Sequence, residues 1–282
     1  GSENFTAHAI TTSADNAQSV YATDMDGDGD LDVLSASWPD DTIAWYENDG
    51  SENFTAHPIT TSADAPTSVY ATDVDGDGDL DVLSASYLDD TIAWYENDGN
   101  SDPTWTAAEI AASADGAYSV FVADMDNDGD LDILVGNRTI PQQYPKHVPS
   151  VLFENVNGTL KEVSNSKAKV LQDFGIINDL IATDFDEDGQ VDIIAVGEWT
   201  NIGMFKNTNG VFKDVSSEYG LDTVKGWWYT IAATDVNNDG HKDYIIGNVG
   251  ENIKFKATKE KPFKIFANDF DTNGTLDIVL SN

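Results

Sequence analysis

The 282-residue chain contains no cysteine, so it has neither a disulfide framework nor thiol chemistry. It contains no run of 18 apolar residues, which argues against a membrane-spanning helix. Positive charge is scarce and lopsided: residues 1–137 hold no Lys or Arg, and all 14 basic residues follow. Neither G-x-S-x-G nor H-E-x-x-H occurs, so two common hydrolase signatures are missing. Of the four histidines, His8 and His57 repeat one position, His241 sits in an acidic loop, and His147 stands alone. The formal net charge of −37 makes nucleic acid and an anionic membrane surface poor partners, and no membrane insertion is expected. No signal-peptide pattern opens the sequence, which begins inside a repeat, as a mature or trimmed chain would.

Aspartate, by contrast, is abundant and patterned. Six loops follow D-x-[DN]-x-[DN]-G-x-x-D, with candidate ligands at positions 1, 3, 5, 7 and 9. Loop one offers Asp24, Asp26, Asp28, Asp30 and Asp32; loop two offers Asp73, Asp75, Asp77, Asp79 and Asp81. Loop three offers Asp124, Asp126, Asp128, Asp130 and Asp132; loop four offers Asp184, Asp186, Asp188, Gln190 and Asp192. Loop five offers Asp235, Asn237, Asp239, His241 and Asp243; loop six offers Asp269, Asp271, Asn273, Thr275 and Asp277. Oxygens on alternate residues of a tight loop suit a hard cation with six to eight ligands, so Ca²⁺, up to six ions, is the expected cofactor. The Gly at position 6 permits the sharp turn around the ion. Six ions would bring the net charge to about −25. Asn237 and Asn273 each remove a charge, which predicts weaker binding in loops five and six.

An EF-hand is excluded. Its position 12 needs a bidentate acid, whereas Ser35, Ser84, Val135, Ala195, Ile246 and Leu280 stand there. The flanks are short β-branched apolar runs, which read as buried strands. Loop starts are separated by 49, 51, 60, 51 and 34 residues, the spacing of a strand-rich repeat array. Residues 1–50 and 50–99 are near duplicates. The second repeat predicts strands at Ser68–Thr72, Asp81–Ser86 and Thr91–Asn97, with Phe54–Ile59 marking the fourth strand of a repeat. Four antiparallel strands per repeat make a blade, so the expected fold is an all-β propeller, a single domain over residues 1–282.

These loops, with Gly-Asn-Arg-Thr-Ile-Pro (136–141), Val-Gly-Glu-Trp (196–199), Phe-Lys-Asp-Val-Ser (212–216) and Gly-Trp-Trp (226–228), resemble the FG-GAP/VCBS repeat family. The loops are similar to those of integrin α-subunit propellers, and residues from about 136 onward to bacterial VCBS-repeat propellers. The resemblance implies a Ca²⁺-loaded extracellular or cell-surface module, secreted and bacterial, used for adhesion or carbohydrate binding. By analogy with similar loops, position 7 contributes its backbone carbonyl, and its side chain is free to vary.

The last repeats look short. One strand near Asn252–Ala257 precedes Phe263–Ala267, and Asn4–Ile10 reads as a fourth strand that could seal an incomplete last blade. An open edge would invite self-association or an assembly partner. Trp38, Tyr87 and Trp199 follow the second strand of their repeats and are candidates for stacking on a sugar beside Asp40, Asp41, Asp89 or Asp90. One ring each of Trp45-Tyr46 and Trp94-Tyr95 is expected to face a core, Trp227-Trp228-Tyr229 to precede a strand, and Thr139–Ser150 to form an extended loop. The expectation is a non-enzymatic module that binds a glycan or cell-surface protein. The alternatives are an interaction scaffold and an accessory domain of a polysaccharide-active enzyme.

Overall fold

The computed structural model describes residues 7–100, 103–111, 114–140, 143–250, 256–258 and 260–281. Their regular secondary structure is almost entirely antiparallel sheet. The first sheet runs in chain order through β1 (Ala17–Thr23), β2 (Asp32–Ser37), β3 (Thr42–Asn48) and β4 (Phe54–Thr60). The second repeats it with β5 (Pro66–Thr72), β6 (Asp81–Ser86), β7 (Thr91–Asn97) and β8 (Trp105–Ala111). A third contains β9 (Ala117–Ala123), β10 (Asp132–Asn137), β11 (Val151–Val156) and β12 (Thr159–Glu162). Two four-residue helices, α1 (Ser164–Lys167) and α2 (Lys169–Gln172), precede the fourth sheet: β13 (Ile176–Thr183), β14 (Asp192–Glu198), β15 (Gly203–Thr208) and β16 (Val211–Asp214). Two hairpins follow among the described residues, β17 (Trp228–Thr234) with β18 (Asp243–Asn248), and β19 (Lys264–Asn268) with β20 (Asp277–Ser281). These four-stranded meanders have the form of propeller blades.

Burial grades across each sheet. Every residue of β6, β10 and β14 is buried, whereas β4 and β8 have only half-buried and exposed residues. A strand covered on both faces needs no alternation, which explains runs such as Asp-Ile-Ile-Ala-Val-Gly-Glu. The chain divides into two compact units, residues 1–120 and 121–282, joined within β9. In the first unit, Leu34, Ile43 and Trp45 of one sheet pack with Val69, Val82 and Tyr95 of the next. In the second, Leu134, Leu152, Ile177, Ile193 and Phe205 form one core, and Ile194, Val196, Met204 and Ile231 another.

A bulge recurs near the start of the first strand of a repeat, between Ala17 and Ser19, Pro66 and Ser68, Ile177 and Asp179, and Trp228 and Thr230. It aims two consecutive side chains at the neighbouring sheet. Thr67 Oγ1 donates to the Ala117 carbonyl at 3.1 Å, and Ser68 Oγ accepts from the Val120 amide at 3.3 Å. Likewise Asn178 Nδ2 donates to the Trp228 carbonyl at 2.7 Å, and Asp179 Oδ2 accepts from the Ile231 amide at 2.9 Å.

Several expectations need correction. Residues 7–10 of the proposed N-terminal strand are irregular, and 4–6 lie outside the described residues. The last sheet consists of β19 and β20 among the described residues. Residues 256 and 257 are likewise not in a strand, and 252–255 lie outside the described residues. The strand read over 263–267 runs from Lys264 to Asn268. Trp228 and Tyr229 lie inside β17 rather than before it. Both rings of Trp45-Tyr46 are buried, because β3 is covered on both faces. The loop read over Thr139–Ser150 folds back on itself, bridging Thr139 to His147.

Candidate metal centres

Each acidic loop joins the first two strands of a repeat and is built by its own carboxylates. At position 1, Asp Oδ2 accepts the position-6 glycine amide in all six loops, at 2.8–3.2 Å. At position 5, the side-chain oxygen accepts the position-7 amide at 2.8–3.0 Å. At position 9, Asp Oδ2 accepts the position-2 amide at 2.9–3.2 Å. Its Oδ1 in the first four loops accepts the amide of a third-strand Asn: Asn48, Asn97, Asn155 and Asn207, at 2.8–2.9 Å. The buried position-9 Asp thus ties the loop to the sheet as well as facing its centre.

The carboxylates of positions 1, 3 and 9 converge. In Asp24/Asp26/Asp32, Asp73/Asp75/Asp81, Asp124/Asp126/Asp132, Asp184/Asp186/Asp192 and Asp269/Asp271/Asp277, one oxygen per residue lies within 4.8 Å of the others. Loop five forms no such triad because position 3 is Asn237. Asp24 Oδ1, Asp126 Oδ1 and Asp186 Oδ1 are buried without a hydrogen-bond partner. A buried orphan acceptor is costly unless something cationic or donating meets it. These oxygens fit a hard divalent cation, which residues at positions 1, 3 and 9 would hold.

Electrostatics carry the same strain. Burial, joined by the charges of Asp28, Asp32 and Glu47, pushes Asp26 up. Burial raises Asp81, and pushes Asp132 and Asp192 up to about 6, aided by the neighbouring loop carboxylates. Two loops have a lysine beside them. Lys167 Nζ lies 2.9 Å from Asp126 Oδ2 and 3.2 Å from Glu154 Oε1. Against the effect of burial, Lys167 holds Asp126 below the usual carboxylate range. Lys206 Nζ pairs with Asp186 and lies 2.9 Å from Asp188 Oδ2, which it holds down.

Position 7 does more than its backbone role implies. Asp130 Oδ2 accepts the Asn157 amide at 2.6 Å, and Gln190 Oε1 the Asn209 amide at 2.5 Å. These side chains pin the outer hairpin turns. His241 Nδ1 instead lies 2.5 Å from Glu187 Oε1 of loop four, which raises the His241 pKa.

The aromatic candidates are engaged with one another. Trp38 and Tyr87 lie 5.5 Å apart between ring centroids. Asp41 Oδ1 accepts the Ala65 amide at 3.2 Å and Asp90 Oδ1 the Gly116 amide at 3.1 Å, which links neighbouring repeats, whereas Asp89 Oδ2 accepts the Asp64 amide at 3.4 Å within the second repeat. Trp199 packs on Trp227 and Phe263 at 5.4 and 5.2 Å, and its Nε1 donates to Tyr144 Oη at 2.5 Å. Tyr144 in turn donates to Glu198 Oε2 at 2.5 Å, and Arg138 pairs with Glu198 Oε1. Glu198 is fully enclosed, which its position at a strand exit did not reveal.

Repeated acidic turns set between paired strands of four-stranded antiparallel sheets define a β-propeller-like repeat protein. The FG-GAP-like repeat model matches residues 24–84, 73–135 and 184–246, and the chain belongs to that family. Loop six lies beyond the matched residues. No curated protein is significantly similar in sequence. Among solved structures the chain is similar to Saccharomyces cerevisiae Sqt1, at 8% identity over 79% of this chain and 53% of that one, with a TM-score of 0.48. It thus spans about half the length of that protein. No helix among the described residues is long and apolar enough to cross a membrane.

Proposed function

We propose that this chain is a non-enzymatic, Ca²⁺-stabilised propeller module, one domain in function, that acts outside the cell and binds a glycan or a cell-surface protein. The observation that carries the metal part is the recurrence of the 1, 3, 9 carboxylate triad with buried, unpartnered Asp oxygens. Bound Ca²⁺ supplies charge neutralisation and a multidentate tie across the loop. The chain's own Asp residues set the turn, and the position-9 Asp passes that order to the third strand. Similarity of the loops to integrin and bacterial VCBS propellers supports the extracellular placement. The Trp38–Tyr87 pair, with exposed Asp40 beside it, is the proposed sugar platform. A glycan-array assay in millimolar Ca²⁺ and in chelator, with folding followed by circular dichroism, tests this. Ca²⁺-dependent binding lost in Trp38→Ala supports it, and a folded, Ca²⁺-loaded protein that binds no glycan sinks the sugar reading.

A second reading, docking to another protein, is favoured by exposed apolar side chains on the last hairpins. Ile245, Phe266 and Val279 are 55%, 52% and 51% exposed. Among the described residues these hairpins are two-stranded, and an exposed edge strand is a surface for strand addition. Concentration-dependent association, measured by sedimentation, would favour this reading over the first.

A further inference from the structure

Four repeats have a described third strand, and in the first, third and fourth its side chain at one register reaches the repeat's own acidic loop; loop four differs there. Register fixes the position. Val33 pairs with Tyr46, Val82 with Tyr95, Ile133 with Phe153 and Ile193 with Phe205. The next residue is then Glu47, Glu96, Glu154 or Lys206, followed by the Asn whose amide binds the position-9 Asp. Three repeats therefore add a carboxylate at this register, and Glu47 already presses on Asp26. The fourth places an ammonium there.

We propose that Lys206 is a built-in counter-ion that sets loop four apart from the other loops, holding it folded without metal and making it the weakest Ca²⁺ site of the first four. The Lys206 ammonium bridges Asp186 and Asp188, at positions 3 and 5, which a loop cation would otherwise neutralise. It occupies one oxygen of each, leaving Asp186 Oδ1 for a cation in a cage of lower negative charge. Affinity of oxygen cages scales with ligand charge, so a net cation at the rim weakens binding. Position 7 of the same loop is Gln190 rather than Asp, which lowers the charge again. Loop three shows the intermediate arrangement. Lys167 arrives from α1 but pairs with Glu154 as well as Asp126, so the repeat retains its extra carboxylate. Loops one and two, with Asp at position 7, Glu at the third-strand register and no lysine ion pair among the described residues, are the most dependent on metal of the first four.

This rests on the Ca²⁺ reading, and the test separates the two. Bound calcium per chain is measured by equilibrium dialysis with radioactive Ca²⁺ over a range of free concentration. Melting is followed in parallel in chelator for wild type, Lys206→Glu, Lys206→Met, Lys206→Arg and Glu96→Lys. Lys206→Glu is expected to tighten one site by about tenfold, and Glu96→Lys to weaken one by a similar factor. Lys206→Met is expected to melt lower than wild type in chelator and to recover with Ca²⁺, while Lys206→Arg follows wild type in both. If wild type binds calcium and Lys206→Glu leaves the isotherm unchanged, the inference is overturned. If wild type binds no calcium, the Ca²⁺ reading fails instead, and the counter-ion role is then decided by the chelator melts: equal melting of wild type and Lys206→Met rejects it.

Discussion

At position 6 of the loops the backbone alone demands glycine. Gly29, Gly78 and Gly129 have φ of +98°, +102° and +98°, and an added Cβ would meet nothing within 4 Å. Gly78→Ala is therefore expected to cost about 1 kcal/mol through conformation rather than crowding, read from urea unfolding at fixed Ca²⁺. Position 4 is also left-handed, occupied by Gly27, Gly76, Asn127, Glu187, Asn238 and Thr272. A β-branched residue is poorly suited to that region, so Thr272→Gly is expected to stabilise the protein by about 1 kcal/mol. Unchanged or lower stability in that variant would contradict this. The position-6 requirement is readable from the repeated glycine. The position-4 one is not, because the same left-handed backbone is occupied by Gly, Asn, Glu and Thr at a modest cost. Arg138 and Glu198 pose a different problem. Truncating the guanidinium leaves a buried carboxylate with Tyr144 as its side-chain hydrogen-bond partner among the described residues. Arg138→Leu is expected to lose about 3 kcal/mol, and Arg138→Leu with Glu198→Gln less than that. Equal losses in the single and double variants would show that the pair is not coupled.

Between elements, the bulged first strands hold neighbouring sheets together through polar clamps. Asp179 is the charged version: its Oδ2 accepts from Ile231 and Thr230, where Ser68 serves the same place in the second sheet. Burial raises its pKa above the ordinary carboxylate value. A raised carboxylate favours the folded state while protonated, so its contribution is full at acid pH and is lost as pH rises through the folded pKa. Asp179→Asn keeps an acceptor and removes the charge. Relative to wild type, it is expected to gain stability as pH rises from 4 to 7, measured by denaturant unfolding at each pH; parallel pH profiles would reject the assignment. These clamps were invisible in the sequence because the bulge is a backbone event, and Thr67-Ser68 and Asn178-Asp179 share no motif. The strands themselves were legible, since β-branched runs bounded by Gly and Asp set both their length and their burial. The short helices α1 and α2 were missed because four residues carry too little periodicity to register.

For the whole molecule, the net charge of −37 is concentrated where the folded chain brings carboxylates together. Ca²⁺ binding only to the folded form is expected to raise the melting temperature, by about 2.7 kcal/mol of stability for a site at a hundredfold excess over its Kd. A calorimetric scan in chelator and in millimolar Ca²⁺ checks this; coincident transitions would mean that the loops do not bind calcium. The family and the blade-like sheets were legible because six loops repeat one spacing. The roles of Trp38, Tyr87 and Trp199 were not, because a ring at a strand exit reads alike whether it meets a ligand or another ring.

The glycine amides held by the position-1 carboxylates also bear on how the protein ages. In Asp28-Gly29, Asp77-Gly78, Asp128-Gly129 and Asp188-Gly189, that amide nitrogen is the nucleophile that would close a succinimide on the preceding aspartate, yet Asp24, Asp73, Asp124 and Asp184 keep it engaged. Loosening the loops frees it. Storage in chelator is expected to accumulate isoaspartate at these bonds faster than storage in Ca²⁺, as read by peptide mapping, and equal rates would mean that the loops stay closed without metal. Because residues 1–137 hold no Lys or Arg, trypsin would leave that whole stretch as one fragment, and the mapping needs an enzyme that cuts elsewhere, for example at the aromatic residues. Loss of the ion would then be recorded permanently in the covalent chain.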